Sequence, residues 1–311
     1  RRFVKALRTM SQSAPKATLV MLLNATLLSA CAPAFQQQAV DTSAWGRRYA
    51  TVDGFQLHYD VVGEGDTVLF LHGYSSFGNV WQPLAQSLAG SHRSILVDLP
   101  GHGLSDRRQA DYSPQGVAHM LWSFLDGLGV ARVSLVGHSW GAAVAAAMIL
   151  ERPDQVARLV VADGWLYLEQ NGMFMDWAQT PGVGEALYQV FYDQQVEYRY
   201  AMAFDEPEQW IDEAVLEPMT RMMARFPGSK AAGLAVVREL KRLPRQEARY
   251  HEITCPALLI WCRDDRISHP HYGERFQSEI ADARLEVLGG CGHMPMVEQA
   301  TRFGALVGGF L

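Results

Sequence analysis

The chain has 311 residues, of which 49% are hydrophobic and 19% are charged. Acidic side chains outnumber basic ones by 33 to 27, so the formal net charge at pH 7 is −6. Because no basic block follows the first residues, the composition argues against nucleic acid as a partner. The length is ample for one α/β domain that carries an inserted segment.

The first 31 residues are typical of an export signal. A basic start precedes an apolar stretch from Ala17 to Leu28, which is too short to span a bilayer comfortably and is typical of a signal-peptide h-region. It runs into Leu28-Ser29-Ala30-Cys31, which resembles the lipobox of bacterial lipoproteins. That resemblance implies cleavage before Cys31 and lipidation of its thiol.

Several expectations about location follow from this leader. We expect residues 1–30 to be a lipoprotein-type signal peptide and residues 31–46 to be a tether. The membrane is then a partner through the lipid on Cys31, in a bacterial cell envelope, facing the periplasm or the surface. The alternatives are an ordinary secretory signal with an incidental cysteine, in which case the protein would be secreted, and an uncleaved anchor.

Beyond the tether, strand-like and helical patterns alternate. Apolar runs near residues 48–53, 56–62, 67–72, 93–98, 132–137, 158–163, 257–262 and 284–288 predict strands, and the stretches 113–128, 142–150 and 296–311 predict helices. Alternation of this kind predicts a mostly parallel central sheet flanked by helices, with the functional site at the carboxyl ends of the strands. Residues 165–250 show helical patterns only. We therefore predict a helical cap at 165–250, inserted into a core of residues 47–164 and 251–311.

The most informative motif is Gly137-His138-Ser139-Trp140-Gly141. It follows an apolar strand-like run and opens an alanine-rich helical run, which is the context of a nucleophile elbow. Such a tight turn leaves no room for side chains at Gly137 and Gly141 and places the serine in a strained backbone conformation. The hydroxyl of Ser139 then points clear of the sheet, and the amide of Trp140 lies at a helix N-terminus, where it faces a developing oxyanion.

Downstream strands supply an acid and a base in the order that an elbow serine needs. The buried run Pro256–Cys262 ends in Arg263-Asp264-Asp265, and the next predicted strand ends in a glycine loop that carries His293. Asp163, after the preceding strand, is a third candidate acid. Asp163, Asp264 and Asp265 each follow a predicted strand, so position alone places all three at the carboxyl edge of the sheet and does not choose among them.

Two further motifs reveal a family resemblance. Leu69–Tyr74 resembles a strand followed by an HG-x oxyanion loop, and Asp98–Ser105 resembles a D-x-P-G-x-G-x-S turn. With the elbow and the acid and histidine loops, they make the chain similar to the α/β-hydrolase fold family, in the branch with a helical cap, over about residues 48–311.

The resemblance implies a role for each site residue. Ser139 is the nucleophile, His293 is the base, and the backbone amides of Tyr74 and Trp140 are the oxyanion donors. Asp265 occupies the acid's place in the family pattern, with Cys262 in place of a glycine; Asp264 is then a turn residue, and Asp163 is an alternative acid. His72 and His102 are structural hydrogen-bonders in the family, and His138 is expected to pack under the elbow.

This triad predicts an acyl-enzyme mechanism that needs no metal and no organic cofactor. We expect a serine hydrolase, an esterase or lipase, that cleaves a carboxylic ester of a small apolar substrate, because aromatic side chains are abundant in the cap. An aspartate-nucleophile dehalogenase or epoxide hydrolase is excluded by Ser139. The oligomeric state is not predicted.

Three alternative activities remain open. Carbon–carbon hydrolases of ring-cleavage products share the Gly-Cys-Gly-His loop, but they usually have Asn where this chain has His138 and a Gly-rich loop where it has Tyr74–Phe77. A proline-iminopeptidase-like peptidase shares the Ser-Trp-Gly elbow and needs an acidic grip on a free amine, for which the cap offers Glu169, Asp176, Glu185 and Glu197. Cofactor-free perhydrolases and acyltransferases also use this fold.

The remaining cysteines are expected to be free thiols. Cys255 and Cys262 lie on opposite faces of one predicted strand, so they cannot readily bridge. A bond between Cys262 and Cys291 is possible because both lie in neighbouring loop regions, but free thiols are the expectation.

Overall fold

A computed structural model describes residues 32–37, 48–211 and 226–311. Eight strands form one sheet in the order β1-β2-β4-β3-β5-β6-β7-β8. Strand β1 is antiparallel to β2, and β2 is antiparallel to β4. The strands β3 to β8 are all parallel to one another. The strands are β1 Tyr49–Val52, β2 Phe55–Val62, β3 Asp66–Leu71, β4 His92–Val97, β5 Val133–His138, β6 Val156–Ala162, β7 Ala257–Cys262 and β8 Ala283–Leu288.

Helices cover the sheet and fill the segment between β6 and β7. The α-helices are α1 Gln82–Leu88, α2 Pro114–Gly127, α3 Trp140–Glu151, α4 Met173–Ala178, α5 Val183–Ala203, α6 Pro207–Trp210, α7 Ser229–Glu239, α8 Leu243–Glu247, α9 Pro270–Glu279, α10 Pro295–Glu298 and α11 Ala300–Phe310. Short 3₁₀ turns occur at Gly78–Trp81, Pro153–Gln155, Leu168–Gln170, Leu240–Arg242 and Tyr250–Glu252.

The predicted fold class is confirmed, because each apolar run forms a strand of one mostly parallel sheet flanked by helices. Helix α2 begins where Ser113 accepts a hydrogen bond from the amide of Gly116, and Pro114 occupies its first turn. The C-terminal helix expected at 296–311 is two helices separated at Gln299.

The boundaries of the inserted cap, residues 165–250, remain a prediction. Residues 163–211 and 226–256 contain helices and turns and no strand. Part of the predicted cap (212–225) and most of the predicted leader and tether, including Cys31, lie outside the described residues. Within the described part of the chain, no helix is long and apolar enough to cross a membrane.

The core lies on both faces of the central strands. Helix α3 is buried along nearly its whole length, and β3, β5, β6 and β7 are buried at their carboxyl ends. Strands buried on both faces are continuous apolar runs, as the sequence of β7 illustrates. This packing fixes the strand ends from which the functional loops begin.

Candidate active site

The elbow has the strained geometry that its sequence predicts. Strand β5 ends at His138, Ser139 has φ +51° and ψ −121°, and α3 begins at Trp140. A Cβ atom on Gly141 would lie 2.3 Å from the carbonyl oxygen of Leu71, and one on Gly137 would lie 2.7 Å from that of Gly141. Both glycines are therefore required for the turn to close, and the positive φ of a serine is a sign of stored strain.

Three backbone hydrogen bonds hold Ser139 at this turn. Its amide donates to the carbonyl oxygen of Ala162 at 3.0 Å, and its carbonyl oxygen accepts from the amides of Ala142 and Trp165, each at 2.9 Å. The side chain lines a cavity between the sheet and the cap helices, together with His293 and Tyr74. The serine is thus fixed by its main chain, while its side chain lies at the cavity wall.

The structure pairs His293 with Asp265. The Nδ1 atom of His293 lies 2.7 Å from Oδ2 of Asp265, and both side chains are buried. The other carboxylate oxygen accepts from the amides of Ile267 and Ser268, at 2.7 and 2.9 Å. With Nδ1 donating to the carboxylate, Nε2 is the ring nitrogen left to accept a proton. Asp264, by contrast, is exposed, as expected of a turn residue.

Asp163 lies behind this pair. Its backbone has φ +43°, and its Oδ1 accepts from the amide of Cys262 at 2.9 Å. Its carboxyl group is fully buried and lies close enough to Asp265 for the two groups to interact electrostatically. Burial, followed by the charge of Asp265, raises the pKa of Asp163 well above its ordinary value. Of the candidate carboxylates, Asp265 is therefore the one that the structure pairs with His293.

The expectation of free thiols at Cys262 and Cys291 is wrong, because these residues form a disulfide. Cys262 is the last residue of β7 and pairs in register with Leu288, the last residue of β8. The glycine turn after β8 then brings Cys291 back beside that strand end, with the two Cα atoms 5.4 Å apart. The disulfide thus joins the loop of Asp265 to the loop of His293. Cys255 is free.

Two further side chains, those of His138 and Glu298, also hold the loop of His293, and the sequence did not predict this role for either. The Nε2 atom of His138 donates to the carbonyl oxygen of His293 at 2.7 Å. The carboxylate of Glu298 accepts from the amides of Gly292 and Asp205, each at 2.8 Å. His138 was expected only to pack under the elbow, and no sequence pattern marks Glu298, because its partners are backbone amides from two distant segments.

The two predicted oxyanion donors lie at this same edge. Trp140 is the first residue of α3, and Tyr74 lies in the loop after β3. Within the described part of the chain, neither backbone amide donates to a protein acceptor. Helix α5 supports the loop, since the hydroxyl of Tyr200 donates to the carbonyl oxygen of Ser75 at 3.2 Å. The hydroxyl groups of Tyr74 and Tyr188 lie 3.0 Å apart.

His72 and His102 have structural partners, as the resemblance implied. His72 accepts from the amide of Leu99 through Nε2 at 2.9 Å and donates through Nδ1 to the carbonyl oxygen of Gly73 at 2.8 Å. His102 donates to the carbonyl oxygen of Pro100. Burial lowers the pKa of His72, and burial with the nearby His72 lowers that of His102 to about 3. Both rings are therefore neutral at physiological pH.

The cavity has a volume of about 440 Å³, within the range of small-molecule sites. Much of its wall is apolar, formed by Trp165, Phe174 and four methionines: Met173, Met175, Met202 and Met294. Two arginines also line it. Arg199 lies with its guanidinium carbon 4.6 Å from the ring centre of Tyr74, and the exposed Arg266 lies 3.6 Å from Asp205. The described residues contain no cluster of side chains suited to hold a metal ion.

Comparison with known proteins decides the family. A family model described as "Alpha/beta hydrolase family" matches residues 68–306. The chain belongs to the alpha/beta hydrolase family. A 2-hydroxy-6-oxononadienedioate/2-hydroxy-6-oxononatrienedioate hydrolase from Paraburkholderia phymatum is 31% identical to this hydrolase over 266 residues, which cover 82% of this chain and 91% of the relative.

Solved structures agree on the fold of this hydrolase. A meta-cleavage product hydrolase from Pseudomonas fluorescens has a TM-score of 0.72 at 21% identity, covering 85% of this chain and 96% of that chain. A thermophilic esterase from Thermogutta terrifontis has a TM-score of 0.69 at 22% identity, covering 85% and 97%. At these identities the likeness is one of fold.

Proposed function

We propose that this hydrolase uses Ser139 as the nucleophile, His293 as the base and Asp265 as the acid, and that it cleaves a carbon–carbon bond beside a ketone in a ring-cleavage type of substrate. The observation that carries the first part is the buried 2.7 Å pair of His293 and Asp265, since His293 lines the same cavity as Ser139. The reaction type is supported by the curated relative, whose name describes hydrolysis of such a dienedioate. We therefore propose carbon–carbon hydrolysis ahead of the ester hydrolysis that the sequence alone predicted.

The proposed chemistry has two half-reactions. The hydroxyl of Ser139 adds to the ketone carbon as its proton passes to Nε2 of His293, and the resulting oxyanion faces the amides of Tyr74 and Trp140. The carbon–carbon bond then breaks, and its electron pair leaves as an enolate conjugated to a second carbonyl, which His293 protonates. Water, deprotonated by His293, next attacks the acyl-Ser139 ester and releases a carboxylic acid.

Arg199 supports a substrate that carries a carboxylate. Its guanidinium group lies on the cavity wall over Tyr74, the residue that donates to the proposed oxyanion. Guanidinium groups pair well with carboxylates, and a dienedioate has one at each end. One of these two carboxylates would then be held next to the oxyanion loop.

A second candidate, ester hydrolysis, is favoured by the apolar part of the cavity wall. The methionines and Phe174 suit an uncharged acyl chain, and methionine adapts to chains of different shape. His138 and Tyr74–Phe77 also depart from the usual sequence of the carbon–carbon hydrolases. The same three site residues would perform this reaction.

One panel separates the two candidates. Wild type, Ser139→Ala, Arg199→Gln and Arg266→Gln are assayed with a ring-cleavage dienedioate and with nitrophenyl esters of increasing chain length. Carbon–carbon hydrolysis predicts a higher kcat/KM for the dienedioate than for any ester, and a selective loss of dienedioate activity of about tenfold or more in Arg199→Gln. A preference for long esters that Arg199→Gln leaves unchanged supports the second candidate. Turnover in Ser139→Ala equal to that of wild type overturns both.

We also propose that Cys31 carries a lipid that anchors the protein to a membrane of a bacterial cell envelope. The support is the apolar stretch that runs into Leu28-Ser29-Ala30-Cys31, and the Cys262–Cys291 disulfide, since disulfides persist in oxidising compartments such as the periplasm. Expression of the full chain with Cys31→Ser tests this: the variant should leave the membrane fraction. Wild-type protein without acyl chains in its mass spectrum contradicts the anchor.

A further inference from the structure

Exposed apolar side chains are concentrated in the segment between β6 and β7. Among the described residues, the large hydrophobic side chains that are exposed by 37% to 63% all lie between residues 173 and 210. Five of them, on α4 and α5, form what we call the cap patch: Met173, Trp177, Val183, Val190 and Phe191. Exposed patches of this kind mark surfaces that contact a partner or a membrane.

Helix α5 is apolar on its outward side as well as its inward side. Tyr188 and Tyr192 are buried and stack on each other, with ring centres 4.9 Å apart. Val183, Val190 and Phe191 recur at helical spacing on another side and are exposed. Large apolar side chains that stay exposed on a helix whose other side is already packed mark a contact surface.

The chain that leads to Cys31 lies against this same helix. Pro33 and Ala34 line a surface depression together with Gln189 and Asp193 of α5. Covalent geometry limits the separation of Cys31 and Pro33 to about 7 Å, since each residue spans at most about 3.6 Å. A lipid on Cys31 therefore brings α5 close to the membrane surface.

Hydrogen bonds hold this leading segment in place. The amide of Gln36 donates to the carbonyl oxygen of Arg107 at 3.1 Å, and the side-chain oxygen of Gln36 accepts from the amide of Arg107 at 3.0 Å. The ring of Phe35 stacks on Tyr112, with centres 6.0 Å apart. The segment is thus fixed to the enzyme, so the anchor restrains orientation as well as distance.

We propose that the cap patch lies on the surface of the bilayer that holds the acyl chains of Cys31. The inference rests on the proposed anchor and adds an orientation to it: α4 and α5 face the lipid, and the amino-terminal edge of the sheet faces away. Carboxylates flanking the exposed residues of α5 have cationic partners, since Asp193 lies 3.6 Å from Lys230 and Glu185 lies 2.7 Å from Arg238. On α5, apolar side chains can thereby enter the headgroup region beside carboxylates whose charge is balanced.

The orientation has a consequence for the active site. Met173 belongs to the cap patch and also lines the cavity that contains Ser139 and His293. The mouth of the cavity therefore borders the membrane surface, and a molecule that partitions into the bilayer reaches it without first crossing open water.

A fluorescent probe tests the orientation in the full-length, lipidated protein. Val190→Cys and the control Asp154→Cys, each made with Cys255→Ser, are labelled with an environment-sensitive nitrobenzoxadiazole under non-reducing conditions and reconstituted into phosphatidylcholine vesicles. Asp154 lies in the turn before β6, at the opposite edge of the sheet from the cap. Turnover of a short nitrophenyl ester, or of the dienedioate, confirms that both labelled proteins are folded.

We expect the probe at position 190 to shift to shorter wavelength and to be quenched by nitroxide-labelled lipid several-fold more than the probe at 154. Acyl chains on Cys31 in the mass spectrum, with equal and weak quenching at both positions, overturn the orientation and leave the anchor intact. Absence of acyl chains overturns the anchor and the orientation together. A dimer in detergent that Val190→Ser dissociates, with an unquenched probe in vesicles, overturns the proposal and assigns the cap patch to a second copy of the chain.

Discussion

Asp265 and Asp163 are buried carboxyl groups with different partners. Asp265 accepts from His293, whereas Asp163 accepts from the amide of Cys262. The carboxylate of Asp265 holds the imidazole in one tautomer. Burial, followed by the charge of Asp265, raises the pKa of Asp163 and so favours its neutral form.

Matched amide substitutions test this division. We expect Asp265→Asn to lower kcat by on the order of 10⁴-fold, because the amide stabilises the wrong tautomer of His293. Asp163→Asn should lower kcat by less than about tenfold, since Asn keeps an acceptor oxygen for the amide of Cys262 and carries no charge beside Asp265. Steady-state kinetics of both variants on one substrate decide the matter. A larger loss in Asp163→Asn than in Asp265→Asn would identify Asp163 as the acid.

The pKa of Asp163 also predicts a dependence of stability on pH. Because folding raises this pKa, the folded state holds the proton more tightly than the unfolded state, so the contribution of Asp163 to stability falls as pH rises from its unfolded pKa of about 4 towards the folded value. Asp163→Asn removes that titration. The Tm of the variant relative to wild type should therefore increase steadily from acidic to alkaline pH in a thermal unfolding series. A constant difference would show that Asp163 is ionised in the folded protein.

Among the elements, the turns at the strand ends carry the tightest constraints. The elbow closes because Gly141 approaches the carbonyl oxygen of Leu71 so closely that a methyl group does not fit. We expect Gly141→Ala to destabilise the protein by about 2 kcal/mol or more, through the overlap of its new Cβ atom with the main chain of β3. Gly90→Ala is the control, because nothing lies within 4 Å of a Cβ atom there. Chemical denaturation measures both, and equal stabilities would contradict the elbow geometry.

The disulfide between the loops after β7 and β8 is a second constraint at this scale. Its cysteines are 29 residues apart, and closing a loop of that length stabilises a protein by about 3 to 4 kcal/mol through the entropy of the unfolded chain. We expect the double variant Cys262→Ser, Cys291→Ser to lose stability of this order and to have a lower kcat, because the loops of Asp265 and His293 are no longer joined. Cys255→Ser, which removes the free thiol, should match wild type in both measurements. Reducing agent that leaves the wild-type unfolding midpoint unchanged would contradict this account.

Local sequence patterns predicted the strands and helices well, but they could not predict contacts between segments that are distant in sequence. The runs that became β5 and β7, and the elbow between β5 and α3, are visible in short windows because burial imposes an apolar sequence on them. The choice of Asp265 over Asp264 came from the family pattern, and the hydrogen bond to His293 agrees with it. The pairing of Cys262 with Cys291 depends on the register of two neighbouring strands, which sequence spacing does not report.

Other contacts at the site were hidden for the same reason. Glu298 joins backbone amides of two segments that are about 90 residues apart in sequence, and amides leave no trace in side-chain patterns. The hydrogen bonds between Gln36 and Arg107 likewise connect positions that no periodicity relates. Such contacts can be identified only once the order of the strands and the course of the chain between β6 and β7 are known.

At the scale of the whole molecule, the sheet and the cap act together on one cavity. The sheet presents Ser139, Asp265 and His293 from three strand ends, and α5 supports both the oxyanion loop and the histidine loop. The amide of His293 donates to the carbonyl oxygen of Ala203 at 2.6 Å, in the last turn of this helix. The helices of the predicted cap thus line the cavity and also hold the loops that carry Ser75 and His293.

The central claim is that Ser139 is a nucleophile activated by His293. Intact-protein mass spectrometry after brief exposure to a fluorophosphonate tests it most directly, because this probe phosphonylates an activated serine without depending on the natural substrate. We expect one adduct per chain on the peptide that contains Ser139, no adduct in Ser139→Ala, and labelling slowed by at least about 10³-fold in His293→Ala. Labelling of another residue, or an adduct that persists in Ser139→Ala, would contradict the account.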